Sequence, residues 1–255
     1  MISFRLIPIL LLSEGGLIKS TKFKNYNYIG DPINAVKIFN DKEVDELVFI
    51  DIMASKTNSP PNFKLLEQIA SECFMPLGYA GGISNIDDMK RILSIGYEKI
   101  ILNTAIHLKP DLLKIASKEI GIQSLVVCID YKTNIFGNRK LYSHSGIKLR
   151  NTSVIDFAKY VEELGAGEII LQSVDNDGKM AGYDLSFIKE VNDAVNIPVV
   201  ACGGAGSLDH FSDVLRHAGV SGVAAGSKFI YHGTNKGVLI NYPSNEEVKK
   251  IFTYD

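Results

Sequence analysis

Tryptophan is absent from this 255-residue chain, and only three cysteines occur, Cys73, Cys128 and Cys202. They lie far apart without metal-ligand spacing, and two fall inside apolar runs. That excludes a zinc motif and a disulfide-stapled framework, and leaves reduced core thiols of a cytosolic protein. An excess of charge of one sign is missing too. With 27 basic and 29 acidic residues the formal charge is −2, which exerts no general pull toward nucleic acid or an anionic membrane. No apolar stretch approaches the roughly 20 residues of a membrane-spanning helix. The apolar run Leu6 to Leu12 after Arg5 has the outline of a leader, but it is short and Ser13-Glu14-Gly15-Gly16 is a poor cleavage site. It reads as a first buried strand.

Metal chemistry lacks its signals as well. The five histidines (His107, His144, His210, His217 and His232) show neither metal spacing nor a triad, and read as helix or loop surface residues. Asp175-Asn176-Asp177-Gly178 lacks the further acidic positions and distal glutamate of a calcium loop. No metal and no cofactor is expected.

What is present is regular alternation. Strand-like runs at Phe4–Leu12, Glu46–Ile52, Met75–Tyr79, Lys99–Asn103, Ser124–Asp130, Glu168–Ser173, Ile197–Ala201 and Gly222–Ala225 are separated by segments of helical periodicity. Continuous apolar strands, each followed by a helix, predict a parallel sheet covered by helices. Eight such units in about 250 residues match a (β/α)8 TIM barrel. No linker interrupts residues 1–255, so one domain is expected.

The chain also repeats itself. Ile197-Pro198-Val199-Val200-Ala201-Cys202 runs into Gly203-Gly204-Ala205-Gly206, and 122 positions earlier Pro76-Leu77-Gly78-Tyr79-Ala80 runs into Gly81-Gly82-Ile83. At the same offset Glu46-Leu47-Val48-Phe49 falls on Glu168-Ile169-Ile170-Leu171, and at 119 Leu6–Leu10 falls on Leu125–Ile129. Two duplicated half-barrels follow. A glycine turn between a buried strand and a helix N-terminus makes a nest of N–H groups suited to phosphate. Two such nests imply a ligand phosphorylated at both ends, held across the C-terminal mouth. Between them Asp130 closes the fifth strand as a candidate general acid or base, beside the strand-end groups Asp51, Asn103, Gln172, Ser173, Asp175 and Asp177. The repeat places the partner of Asp130 at position 11, which is Leu11.

Nearly end to end, the chain resembles the HisF family, cyclase subunits of imidazole glycerol phosphate synthase. The matching motifs include Arg5-Leu6-Ile7-Pro8, Gly30-Asp31-Pro32, Asp45–Ser55, Gly81-Gly82-Ile83, Val127-Cys128-Ile129-Asp130, Glu162–Leu171, Asp175–Gly178, Gly182-Tyr183-Asp184 and Ile197–Gly206. The related HisA isomerases share the duplicated barrel, but the Asp51 stretch and the Gly203–Gly206 turn look like HisF. The resemblance implies a glutaminase of the HisH type docked at the N-terminal face, and ammonia passing up the barrel axis to a phosphorylated substrate. Its entrance gate would be Arg5, Glu46, Lys99 and Glu168. Substrate and phosphate positions would be Lys19, Asp51, Gly81, Gly82, Asn103, Asp177, Gly178, Gly203, Gly204, Gly226 and Ser227. The family's two catalytic aspartates match Asp130 and position 11, so one is replaced by Leu11.

Smaller departures are Ser13, Gly16, Ala80 and Gln172, and Glu14 stands as a substitute acid only if its loop reaches back. An intact gate with damaged cyclase chemistry resembles paralogues that feed ammonia to a separate amidotransferase making acetamidino sugars of surface polysaccharide or flagellin. A true cyclase of histidine biosynthesis, a scaffold that only activates the glutaminase, and a sugar isomerase are the alternatives.

Overall fold

A computed structural model describes residues 4–147, 149, 151–233 and 235–252. Among these, eight parallel strands close on themselves: β1 (Arg5–Ser13), β2 (Leu47–Asp51), β3 (Leu77–Ala80), β4 (Lys99–Leu102), β5 (Leu125–Thr133), β6 (Glu168–Ser173), β7 (Val199–Cys202) and β8 (Gly222–Ala225). The closure is the parallel pairing of β1 with β8, Arg5 opposite Gly222 through Pro8 opposite Ala225. The expected TIM barrel is therefore observed, and each expected strand lies within two or three residues of its place.

Alternation along β1 shows how the chain builds two cores. Leu6, Leu10 and Leu12 face the layer between sheet and helices, whereas Ile7, Ile9 and Leu11 belong to the apolar cluster inside the barrel. Helices start where the side chains can cap them. Asp31 caps α1 (Pro32–Asp41), with proline at its first position. Asn85 caps Ile86–Ile95 and Ser207 caps Leu208–Ala218 at equivalent places in the two halves.

Two excursions at the mouth were not legible as strands. After β1, strands Gly16–Thr21 and Lys24–Gly30 form a hairpin. After β5, Arg139–Leu141 folds back antiparallel on Tyr131–Thr133. The first turns at Lys22 and Phe23, both with positive φ (54° and 60°). Such a turn normally carries Asn-Gly or Asp-Gly, so Lys-Phe gave no signal. Asp177 holds it: its backbone oxygen accepts from Lys22 N–H at 3.1 Å, and its carboxylate from Phe23 N–H at 3.4 Å and Ser20 Oγ at 3.1 Å.

Candidate functional site

At the strand N-termini four charged side chains meet on the barrel axis. Arg5 and Lys99 open β1 and β4, Glu168 opens β6, and Glu46 immediately precedes β2. Arg5 donates to Glu46 at 2.6 Å and to Glu168, and Lys99 donates to Glu46 at 2.9 Å and to Glu168 at 2.5 Å. The signs alternate around a closed ring. Burial works against the Arg5 charge, but the two carboxylates more than offset it, so the guanidinium is held above its usual pKa. Both glutamates are buried, and only this pairing makes that tolerable. Above the ring the axis is apolar, walled by Ile7, Val48, Ile101, Val126, Ile170 and Val200.

At the other end lies the mouth. Asp130 is buried, accepts from Asn103 Nδ2 at 2.9 Å, and has the Cys128 thiol at 3.6 Å. Burial raises its pKa from 3.8 to about 7, against the two hydrogen bonds. The unfolded chain releases this proton near pH 3.8, so between there and about pH 7 the folded state binds more protons. Stability therefore falls as pH rises through that window and is lowest above it. Asp130→Asn removes the slope. The wild-type urea midpoint should decline from about pH 5 to about pH 8 relative to the variant's, and parallel midpoints would show that Asp130 does not titrate there.

Lys19 reaches the mouth from the first hairpin. It is buried, its ammonium lies against Gly226, and burial lowers its pKa while Asp177 opposes the shift. Any side chain at 226 would displace that ammonium. Asp177 itself is raised by burial, with Lys19 opposing. Its carboxylate latches the hairpin, and Gly178 packs on the Ser20 carbonyl. Asp51 lies at the mouth but is engaged locally, accepting from Met53 and Ala54 N–H at 3.0 Å each.

The glycine turns recur in both halves. Gly81 and Gly82 follow β3 with φ of 127° and 68°, and Gly203 and Gly204 follow β7 with φ of 89° and 129°. A Cβ on Gly204 would collide with the Gly182 carbonyl. Gly204→Ala should thus cost at least about 2 kcal/mol, seen as a lower denaturation midpoint. These turns face short helices, Thr104–Leu108 after Asn103 and Ser227–Ile230 after Gly226. Gly82, Thr104, Gly204 and Ser227 all border the one continuous mouth cavity.

Sequence reasoning missed part of this wall. Phe23, Tyr26, Lys56, Thr104, His144 and Ser145 also border the mouth. His144 is the clearest correction to the surface reading of the histidines. It is half-buried, packs edge-on against Phe23 (5.4 Å between ring centres), and shares a hydrogen bond with Tyr26 at 3.1 Å. Burial first, then Lys56, lowers its pKa to about 4. His107 stacks on Phe157, and His210 Nδ1 accepts from Gly206 N–H, so these are not plain surface groups either. No spacing could reveal contacts made by separate excursions. Glu14 is exposed and does not border the mouth. Ser173 and Asp175 also stay outside; Asp175 accepts from Thr133 N–H at 2.7 Å. Among the described residues no His/Cys/Asp/Glu group has metal-site geometry, and no helix is long and apolar enough to cross a membrane.

An ion ring at one end, an apolar axis, and a mouth with paired glycine turns define a duplicated (β/α)8 barrel with a cavity at its C-terminal mouth. The family model described as "Histidine biosynthesis protein" matches residues 5–236. The chain belongs to that family, and within it is HisF-like. It is 47% identical over 249 residues to a Leptospira borgpetersenii protein named "Putative imidazole glycerol phosphate synthase subunit HisF", covering 97% of this chain and 98% of that one. Identity is 44% over 243 residues to a Pseudomonas aeruginosa protein named as the hisF2 subunit (95% and 97% covered). It is 38% over 243 residues to the Geobacillus thermodenitrificans "Imidazole glycerol phosphate synthase subunit HisF" (95% and 96% covered).

Proposed function

We propose that this barrel accepts ammonia from a HisH-like glutaminase docked at the ion-ring face. It conducts the ammonia along the apolar axis to an acceptor reaction, amidino-group formation on an acetamido sugar, carried out with a separate amidotransferase. The carrying observation is the combination of a complete four-residue ring with a leucine where the second acid of ring closure would stand. Leu11 borders the mouth on β1, paired beside Ile18 and Ile50, and offers no proton. Ammonia is neutral, small and at home between apolar walls, whereas ammonium is held back by the cost of stripping its water.

Retention of Asp130, with its raised proton affinity, and of buried Lys19 favours the second reading, a working cyclase of histidine biosynthesis that turns the bisphosphorylated precursor into imidazole glycerol phosphate and AICAR. Incubation of the purified protein with that precursor and excess ammonium separates the two. The conduit reading expects no turnover at an enzymatic rate, together with stimulation of glutamine hydrolysis in the partner. Turnover without the partner would overturn it.

A further inference from the structure

Neither the ring nor the mouth accounts for the tip of the second hairpin. Its turn, Asn134-Ile135-Phe136-Gly137-Asn138, leaves Ile135 94% and Phe136 81% exposed. Turn tips are ordinarily polar, and two adjacent large apolar side chains in water gain nothing for the fold.

The tip is nonetheless rigidly built. Asn134 N–H donates to Asn138 O at 2.9 Å, and Asn134 Oδ1 accepts from Phe136 and Asn138 N–H at 3.0 and 2.9 Å. Its base is clamped on both strands. Thr133 N–H binds Asp175, and Arg139 forks onto Asp184 at 3.1 and 3.0 Å while lying over the Phe187 ring. Ordering is therefore complete before any partner arrives, which lowers the cost of binding.

Charge indicates what the partner presents. Lys132 and Lys140 stand directly opposite across the hairpin, an arrangement that like charges disfavour. Neither makes an ion pair among the described residues, and Lys132 rests only over the Tyr142 ring, 5.3 Å away. An apolar knob backed by two unpaired ammonium groups is complementary to an apolar pocket edged by carboxylates. Its place matters equally. The hairpin extends β5 beyond Asp130, at the mouth end and away from the ion ring.

We propose that Ile135 and Phe136, with Lys132 and Lys140 behind them, dock the acceptor enzyme over the mouth, through an apolar pocket rimmed by aspartate or glutamate. The surface rests on the conduit reading, because only a delivered product needs a receiver at this end.

The test places a photo-crosslinking phenylalanine analogue at position 136 of the full chain in its own cell, and identifies and purifies the protein captured. The expected result is an ammonia-consuming enzyme. With this barrel and its glutaminase present, its glutamine-dependent turnover falls more than about tenfold in Ile135→Ser/Phe136→Ser and in Lys132→Glu/Lys140→Glu. Turnover on free ammonium and stimulation of the glutaminase stay unchanged. No crosslink, a crosslink to another copy of this chain or to the glutaminase, or an enzyme indifferent to the tip variants would overturn the proposal. Failure of the conduit reading is seen separately, as turnover of the bisphosphorylated precursor on free ammonium by the wild-type barrel alone, or as delivery that Glu168→Ala does not uncouple.

Discussion

Leu11→Asp should raise ammonium-dependent formation of imidazole glycerol phosphate by about 10²–10⁴-fold, the usual worth of a positioned acid or base. The geometry for that gain is in place. Position 11 lies on β1 and Asp130 on β5, four strands away around an eight-stranded barrel, so the two face each other across the mouth. Asp130 already has Asn103 to orient it and a pKa near 7. A carboxylate at 11 would sit among Ile9, Ile18 and Ile50, where desolvation favours its protonated form and costs about 1–3 kcal/mol of stability. Following product with time, alongside a thermal melt, checks both halves. A variant that folds and binds precursor but stays inactive would locate the lost chemistry elsewhere, with the first hairpin the next place to look.

Glu168→Ala should destabilise the protein by about 3 kcal/mol, because it strands Arg5 and Lys99 on the single carboxylate of Glu46. The urea midpoint should fall with little change in slope, since the same surface is exposed on unfolding. The same change should uncouple delivery: glutamine-driven product formation drops while product from free ammonium persists. Loss of stability without uncoupling would make the ring purely structural, as the scaffold reading requires. No loss of stability would mean that the ring's attraction is already balanced by its desolvation cost.

The barrel and several of the residues that line its mouth were readable in the residue order. Runs such as Leu6–Leu12 and Ile169–Leu171 are apolar on both faces, the mark of strands buried between a filled interior and a helical coat. The glycine pairs at 81–82 and 203–204 stood out because only glycine suits their positive φ and close backbone contacts. The hairpins did not stand out. Lys22 and Phe23 adopt left-handed geometry without glycine, imposed by Asp177 more than 150 residues away. Likewise Asp177 and Gly178, which border the mouth, also hold the hairpin that carries Lys19.

By itself, then, the sequence determined the (β/α)8 architecture and its duplication, and put charges at the starts of four strand runs and leucine at position 11, because these depend on local periodicity and on residue identity. The tertiary structure alone decided that the four charges close into one ring, that Asp130 is buried enough to hold a proton near neutral pH, and that His144 and Tyr26 help wall the mouth. Each of those depends on desolvation and on contacts between excursions distant in the chain, and no pattern of neighbouring residues encodes either.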